Sequence, residues 1–218
     1  MNGIINLNKP SGISSAHALN LVKRKLGLSK AGFLGTLDPA ASGVLIILVG
    51  GYTKRADELH QDEKVYRSTF EFCRETTTLD CDGETVATTD IIPTKQQIEV
   101  ELRNLVGNVE IEVPKFSAVH INGKRAYDLA RAGIDFAPPK KVVKIRRFEL
   151  LEQRSEKEFF FEIECETGTY IRSLAKLLAQ KLGTLAIAST IIRTRVGNFD
   201  IMDAKTLDDI TINDIKEI

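Results

Sequence analysis

Two hydrophobic rhythms divide the chain, one with the period of two expected of strands and one with the wider spacing of helices. Gly3 to Asn8 alternates loosely and runs into Lys9-Pro10-Ser11-Gly12, which predicts a strand and then a turn. Ser14 or Ser15 can cap a helix reaching Leu26, with Ala18, Leu19, Val22 and Leu26 on one face. Lys23, Arg24 and Lys25 fall in its last turn, where the macrodipole favours cations, and Gly27 stops it. A glycine-punctuated loop over residues 32–43 precedes the apolar run Val44 to Val49. Lys64 to Phe72 alternates as a strand, and residues 76–90, rich in Thr and Asp, predict a hairpin or exposed loop. Thr94 to Leu105 has helical spacing and ends at Gly107. Phe116 to Ile121 predicts a strand, Asn122-Gly123 a hairpin turn, and Ala126 to Ala132 a short helix. Strands are expected over 141–152 and 158–166, and an amphipathic helix over Thr169 to Leu182, stopped by Gly183. Two further strands near 185–192 and 194–200 and a short helix over 206–218 complete the prediction.

Strands and helices interleave without a βαβ rhythm or an internal repeat. The pattern predicts an α+β fold on a mixed, mostly antiparallel sheet flanked by helices and loops. No Ser/Gly-rich linker divides the 218 residues, so one domain is expected, with the charged, Pro-containing stretch 122–141 as a candidate insertion. The N-terminus carries no secretory signal, and the run Val44 to Val49 is far too short to span a bilayer. Cys73, Cys81 and Cys165 are odd in number and lack a CxxC or His-rich neighbour, which predicts reduced thiols in a cytoplasmic protein.

Charge changes the picture. Thirty basic residues balance thirty acidic ones, and a neutral chain argues against nucleic-acid binding. The distribution argues the other way. Residues 71–101 hold eight acids and two bases, and the tail 200–218 six acids and two bases. Residues 115–147 hold nine Lys/Arg against two Asp. Such segregation suits a molecule that offers one basic face to a polyanion, or several solvated faces that differ in sign.

Three residues stand out for chemistry. Asp38 sits in Gly35-Thr36-Leu37-Asp38-Pro39, among small residues and ahead of a buried run. It reads either as the N-cap of a helix with Pro39 at its first position, or as a nucleophilic carboxylate on a rigidly anchored loop. Arg172, in Gly168-Thr169-Tyr170-Ile171-Arg172, falls at the third position of a helix capped by Thr169. The macrodipole disfavours a cation there, so an anion is expected nearby, unless the side chain snorkels to the surface. Tyr66, in Lys64-Val65-Tyr66-Arg67, reads as a core or cross-strand aromatic or as a ring that stacks on an unpaired base. Asp80-Cys81-Asp82-Gly83 opens like a calcium loop but lacks the closing Glu, since residue 91 is Ile, and reads as a turn. His17, His60 and His120 are scattered, and no phosphate-loop, dinucleotide or zinc-protease motif is present.

Six motifs then fall in order: Leu-Asn-Lys-Pro-Ser-Gly (7–12), Gly-Thr-Leu-Asp-Pro-x-Ala-x-Gly (35–43), Lys-x-Tyr (64–66), Pro-x-x-Ser-Ala (114–118), Gly-Thr-Tyr-Ile-Arg (168–172) and Arg-Thr-x-x-Gly-x-Phe (193–199). Their order over roughly residues 1–200 resembles the TruB-type tRNA pseudouridine synthases. The resemblance implies the pseudouridine synthase fold and conversion of uridine to pseudouridine at position 55 in the T loop of tRNA. It implies that Asp38 is the nucleophile, attacking either C1′ of the ribose or C6 of the base. Tyr66 would stack on the flipped uracil and serve as base toward C5, Arg172 would pair with the nucleophile, and Tyr170 and Ile191 would line the uracil pocket. Base flipping is implied because the reacting atoms are hidden in the folded loop. The isomerisation calls for no metal and no cofactor. Residues 115–141 would form a basic RNA-gripping insertion that contacts phosphates more than base edges. The expected partner is the tRNA T stem-loop, with no membrane and no obligate protein partner, and a monomer.

Three departures accompany the resemblance. Phe33 stands where the family usually carries His, two residues before the motif glycine, and Leu177 stands where Asp is common. The chain ends at Ile218, where relatives often continue into a small PUA-type RNA-binding domain, so a short form is expected. A non-catalytic RNA-binding or tRNA-folding module is the rival reading. An Asp-nucleophile hydrolase would need a metal site, which the sequence does not offer.

Overall fold

The computed structural model describes residues 1–59, 63–121 and 123–217. In chain order the first elements are β1 (Gly3–Lys9), α1 (Ser15–Leu26), β2 (Ala31–Leu34), β3 (Ser42–Val49), α2 (Ala56–Leu59), β4 (Lys64–Phe72), β5 (Arg74–Thr76) and β6 (Thr85–Thr88). There follow α3 (Lys95–Asn104), β7 (Gly107–Glu112), β8 (His120–Ile121), β9 (Lys124–Arg125) and α4 (Ala126–Arg131). The last are β10 (Lys140–Gln153), β11 (Glu158–Cys165), α5 (Ile171–Lys181), β12 (Ala186–Val196) and β13 (Phe199–Asp200). These residues form two compact units, one of Met1–Arg67, Glu164–Thr167 and Ile191–Ile218, the other of Ser68–Ile163 and Gly168–Thr190.

The first unit is organised around β3. All but its first residue are buried, because neighbours flank both of its edges. β1 pairs antiparallel along one edge, from Gly3 opposite Val49 to Lys9 opposite Gly43. On the other edge β2 pairs antiparallel over Leu34–Ile46 to Ala31–Val49, and β12 runs parallel at Ser42 and Gly43. Ile4, Leu34, Val44, Ile46, Leu48 and Val196 form its apolar cluster, with Tyr52 and Phe199 packed against it. Each such side chain contributes roughly 1.5–3 kcal/mol by leaving water. Chain 200–217 returns to β1, with Lys205 bonded to Asn6 and Asn8 and Lys216 to Ile4.

The second unit packs α3 and α5 with β11, β10 and β7, adjacent in that order and antiparallel where β10 meets β7. Its core is aromatic: Phe70 lies 4.7 Å from Phe161 and 6.0 Å from Phe148, ring centre to ring centre. β5 and β6 make a separate hairpin, as do β8 and β9. The observed architecture is the expected mixed, mostly antiparallel sheet flanked by helices. No helix among the described residues is long and apolar enough to cross a membrane.

Local chemistry explains the helix ends. Ser14 accepts from the His17 amide at the start of α1, and Gly27 ends it in the left-handed region at φ 64°. Thr94 and Gln97 form a reciprocal capping box on α3.

Five expectations need correction. Residues 32–43 are not all loop: β2 occupies 31–34, its two glycine-flanked apolar residues recruited by β3. Of Phe116 to Ile121, only His120 and Ile121 pair as strand. The two strands expected over 185–200 are one long β12, followed by the short β13. Among the described residues of 206–218 the helix is absent: a 3-10 turn forms at Ile212–Asp214, and Lys216 pairs with Ile4 of β1. α5 begins one residue later than predicted: Tyr170, without a side-chain capping bond, is the N-cap in place of Thr169. His60 and Asn122, the latter assigned to a hairpin turn, lie outside the described residues.

Candidate active site

Asp38 lies in the first unit, half-buried, between β2 and β3. No helix starts there. The Ala41 amide bonds back to the Asp38 carbonyl at 3.1 Å, closing a β-turn with Pro39 second in it. Asp first and Pro second are as favourable for a turn as for a helix start, which is why the helix-cap expectation fails. The loop around the carboxylate is pinned on every side. Ser15 Oγ donates to the Leu37 carbonyl and accepts from the Leu37 amide, both at 2.9 Å. The Gly12 amide donates to the Pro39 carbonyl at 2.8 Å, and Ser11 Oγ to the Ala40 carbonyl at 2.7 Å. The Lys-Pro-Ser-Gly motif is thus a clamp on the Asp38 loop.

Two buried cations complete the clamp, and neither was singled out in the sequence. Lys9 is fully buried at the end of β1. Its three ammonium protons meet three carbonyls, those of Pro10 (2.8 Å), Ile13 (2.7 Å) and Pro39 (3.4 Å). Burial pushes the Lys9 pKa down to about 8; the Asp38 carboxylate resists that fall and the Arg193 charge adds to it. Arg193, only 1% exposed on β12, donates from Nε to the Val44 carbonyl at 2.8 Å and from Nη2 to the Gly35 carbonyl at 2.9 Å. It therefore ties together the two flanks of the Asp38 loop. The approach depends on Gly43 at φ 104°, since a β-carbon there would fall against the Arg193 backbone carbonyl. The only sequence signal for these cations is their place inside the first and last motifs.

Tyr66, on β4, is 7% exposed and lies within the fields of Arg193 and Asp38. Burial pushes the phenol pKa up, while the Arg193 charge acts to lower it and the Asp38 charge to raise it. The structure therefore brings Asp38, Tyr66, Lys9 and Arg193 into one electrostatic cluster. Ile191, buried two residues before Arg193 on β12, shares its strand face. Phe33, in place of the usual His, is half-buried on β2 opposite Ile47.

Tyr170 and Arg172 belong to the second unit. With Tyr170 as N-cap, Arg172 occupies the second helical position of α5, not the third, and it is 3% exposed rather than snorkelling. The anion its position calls for includes Asp80, with Nε 3.7 Å from Oδ2. Arg172 also donates to the carbonyls of Thr78 (2.7 Å) and Phe116 (3.0 Å). Asp80 is itself held by the Thr78 hydroxyl and the Asp82 amide. The Asp80–Gly83 segment is the turn expected, but it carries a buried ion-pair partner that went unread. Beside this network lies a cavity of about 630 Å³, whose walls include Thr78, Phe116, Ile134 and Leu177. Leu177, where the family commonly has Asp, thus makes an apolar wall. Among the described residues no group of three or more His, Cys, Asp or Glu is placed to hold a metal ion. None of Cys73, Cys81 and Cys165 is in a disulfide.

Comparison with known proteins shows the family. The family described as TruB family pseudouridylate synthase (N terminal domain) matches residues 23–171. The tRNA pseudouridine synthase B of Caulobacter vibrioides is 39% identical over 208 residues, covering 95% of this chain and 67% of that protein. That of Geobacillus thermodenitrificans is 39% identical over 96% of this chain and 72% of its own length, and that of Ehrlichia chaffeensis 42% over 95% and 71%. Among solved structures, a Cbf5-Nop10-Gar1 complex matches with a TM-score of 0.73 and 29% identity, over 94% of this chain and 52% of that one. An H/ACA RNP bound to a substrate RNA containing 2′-deoxyuridine matches with a TM-score of 0.69 and 28% identity, over 94% and 51%. The chain spans about two thirds of the length of the curated relatives and about half that of the structural neighbours. Its fold is that of the pseudouridine synthases. By profile, identity and fold together, the chain belongs to the TruB family of pseudouridylate synthases.

Proposed function

We propose that this chain isomerises uridine to pseudouridine at position 55 in the T loop of tRNA, with Asp38 as the nucleophile. The coarser statement, a tRNA pseudouridine synthase, follows from the family. The reaction breaks the N1–C1′ bond, turns the base and rejoins it through C5; the C5 proton is lost and N1 gains one. Atoms are conserved overall, so the substrate supplies its own leaving group. Asp38 attacks C1′ or C6, Tyr66 stacks on the flipped uracil and takes the C5 proton, and Arg172 pairs with Asp38. Tyr170 and Ile191 line the uracil pocket. Residues 115–141 act as a basic insertion that grips tRNA phosphates, carrying Lys115, Lys124, Arg125, Arg131, Lys140 and Lys141. The enzyme works as a single catalytic domain, as a monomer, in the cytoplasm.

One observation carries this reading: the Asp38 loop is fastened by side chains from three other places in the sequence, Lys9 with Ser11, Ser15, and Arg193. A turn that served only to cap a helix would need none of them. Preorganisation of this kind suits a carboxylate that must meet a reacting atom at fixed geometry. The test is incubation with a tRNA transcript that lacks pseudouridine, followed by chemical mapping of the modified base. Pseudouridine at position 55 is expected. None in any position would sink the enzyme reading, and pseudouridine elsewhere would sink only the choice of target.

A further inference from the structure

We propose that the Ser117 hydroxyl is a substrate-binding group, donating its hydrogen bond to a phosphate oxygen of the tRNA backbone beside the target uridine. The proposal rests on the proposed function and names a contact that the cations of the insertion do not supply. Ser117 is 6% exposed, and its Oγ is shielded from solvent and makes no hydrogen bond. Among the described residues two other buried side-chain atoms are so placed, yet their side chains are held. Asn6 donates to the Asp200 carbonyl at 2.8 Å, and Arg74 Nε lies 2.7 Å from Glu71. Ser117 has a single polar side-chain atom, and nothing in the fold uses it. A buried hydroxyl left unmet costs stability, so its place in the free protein calls for a partner that arrives later.

Its neighbours say which partner. Phe116, the residue before it, gives its carbonyl to Arg172 Nη2 at 3.0 Å, and the proposed function pairs Arg172 with the nucleophile. The Ser117 carbonyl accepts from the Tyr127 amide at 3.0 Å, in the first turn of α4. The guanidiniums of Arg125 and Arg131 lie 5.9 and 5.6 Å from the centre of the Tyr127 ring. The hydroxyl is thus strung between an arginine of the site and two cations of the insertion, where an anionic oxygen is favoured. Those cations supply a field, and the hydroxyl adds a short, directed bond to the oxygen they attract. The root of the insertion is lightly fastened. Besides the amide bonds of Ala126 and Tyr127 to the Val119 and Ser117 carbonyls, it has the Lys115–Asp135 ion pair, with side chains 45% and 89% exposed. Such a surface pair holds little. The cavity of about 630 Å³ against Lys115 and Phe116 leaves the segment 115–119 room to turn, so RNA that draws on the insertion brings the hydroxyl out.

Ser117→Ala in the full chain tests both halves of the claim. Because the hydroxyl has no partner in the free protein, the variant should melt about 2–4 °C higher than the wild type. A lower melting temperature, or failure to fold, would show that the hydroxyl is bonded within the fold and overturns the proposal. The dissociation constant for an unmodified tRNA transcript should rise about tenfold. The slope of log affinity against log salt should stay as it is, since no charge is removed. Unchanged affinity overturns the proposal. So does a flattened slope, which marks a misplaced insertion that has lost its cations. T stem-loop RNAs that carry one methylphosphonate, on either side of the target uridine, locate the contact. At one of the two linkages the loss of affinity should be about tenfold smaller in Ser117→Ala than in the wild type. Equal losses in the two proteins at both linkages overturn the assignment to a phosphate. Melting and binding need no turnover, so a wild type that made no pseudouridine would defeat the proposed function and leave the Ser117 contact measurable.

Discussion

Among the described residues two arginines are buried, Arg172 and Arg193, one in each unit, and they are held in different ways. Arg172 has a carboxylate, Asp80, among its partners, so charge is met by charge. Arg193 is held by two backbone carbonyls, so charge is met by dipoles. A guanidinium facing a carboxylate holds a local network together at the cost of desolvating both ions. One facing backbone carbonyls is a fastener of chain, and the chain Arg193 fastens is the loop of the proposed nucleophile. The same residue type thus serves as half of an ion pair in one place and as a clamp for a reactive turn in the other.

Variants can break this comparison. The largest effect is expected at the group the clamp serves. Asp38→Asn keeps the turn and its backbone bonds, and should lower single-turnover pseudouridine formation by ~10³-fold or more while tRNA affinity survives. An active Asn variant would remove Asp38 from the chemistry. Next comes Arg172→Ala, which strands Asp80 and two carbonyls in the interior and should cost ~3–5 kcal/mol in urea unfolding. Loss of less than about 1 kcal/mol would show that the Arg172–Asp80 contact is spectator to folding. Ser15→Ala removes both bonds to Leu37 and should cost ~1–3 kcal/mol, together with a fall in turnover but not in tRNA affinity. Equal losses in turnover and affinity would mean that the clamp shapes the RNA surface and not the nucleophile.

A last variant sharpens the picture through pH. The Lys9 pKa falls from 10.5 to about 8 on folding. Between those values the unfolded chain binds the proton that the folded one has released, so this group adds stability as pH rises through that window. Lys9→Met cannot do so. The unfolding free energy of the wild type should therefore gain on that of the variant from about pH 8 to 10.5, and a constant difference would show that Lys9 keeps its proton.

What could be read from the sequence follows a physical divide. α1, with its Ser14 cap and Gly27 stop, and β4, at Lys64–Phe72, are written in local spacing and were legible to within a residue. β7 went unread although Val109 and Ile111 alternate with exposed Asn108 and Glu110, because Gly107 looked like the end of a helix and nothing more. β2 is four residues whose strand character comes from β3, a partner no local window contains. In the site, Asp38, Tyr66 and Arg172 stood out as residues at odd positions. Lys9 and Arg193 did not, since lysine and arginine are almost always at the surface and only the tertiary structure supplies their carbonyls. The motif order carried the family, but it said nothing of which motif holds which.

The two carbonyl bonds of Arg193 also set an order of assembly. They join residues 149 and 158 positions apart, so the loop of Asp38 leaves the ribosome long before its fastener exists. At ~5–20 residues per second that interval is on the order of ten seconds, ample for the local helices and for β1 and β3 to form. During it the carboxylate turn has Ser11, Gly12 and Ser15 but not Arg193, and Tyr66 has no cation. The nascent protein thus acquires its shape well before its proposed chemistry, and uridines met during synthesis face a reactive loop that is still open at both ends.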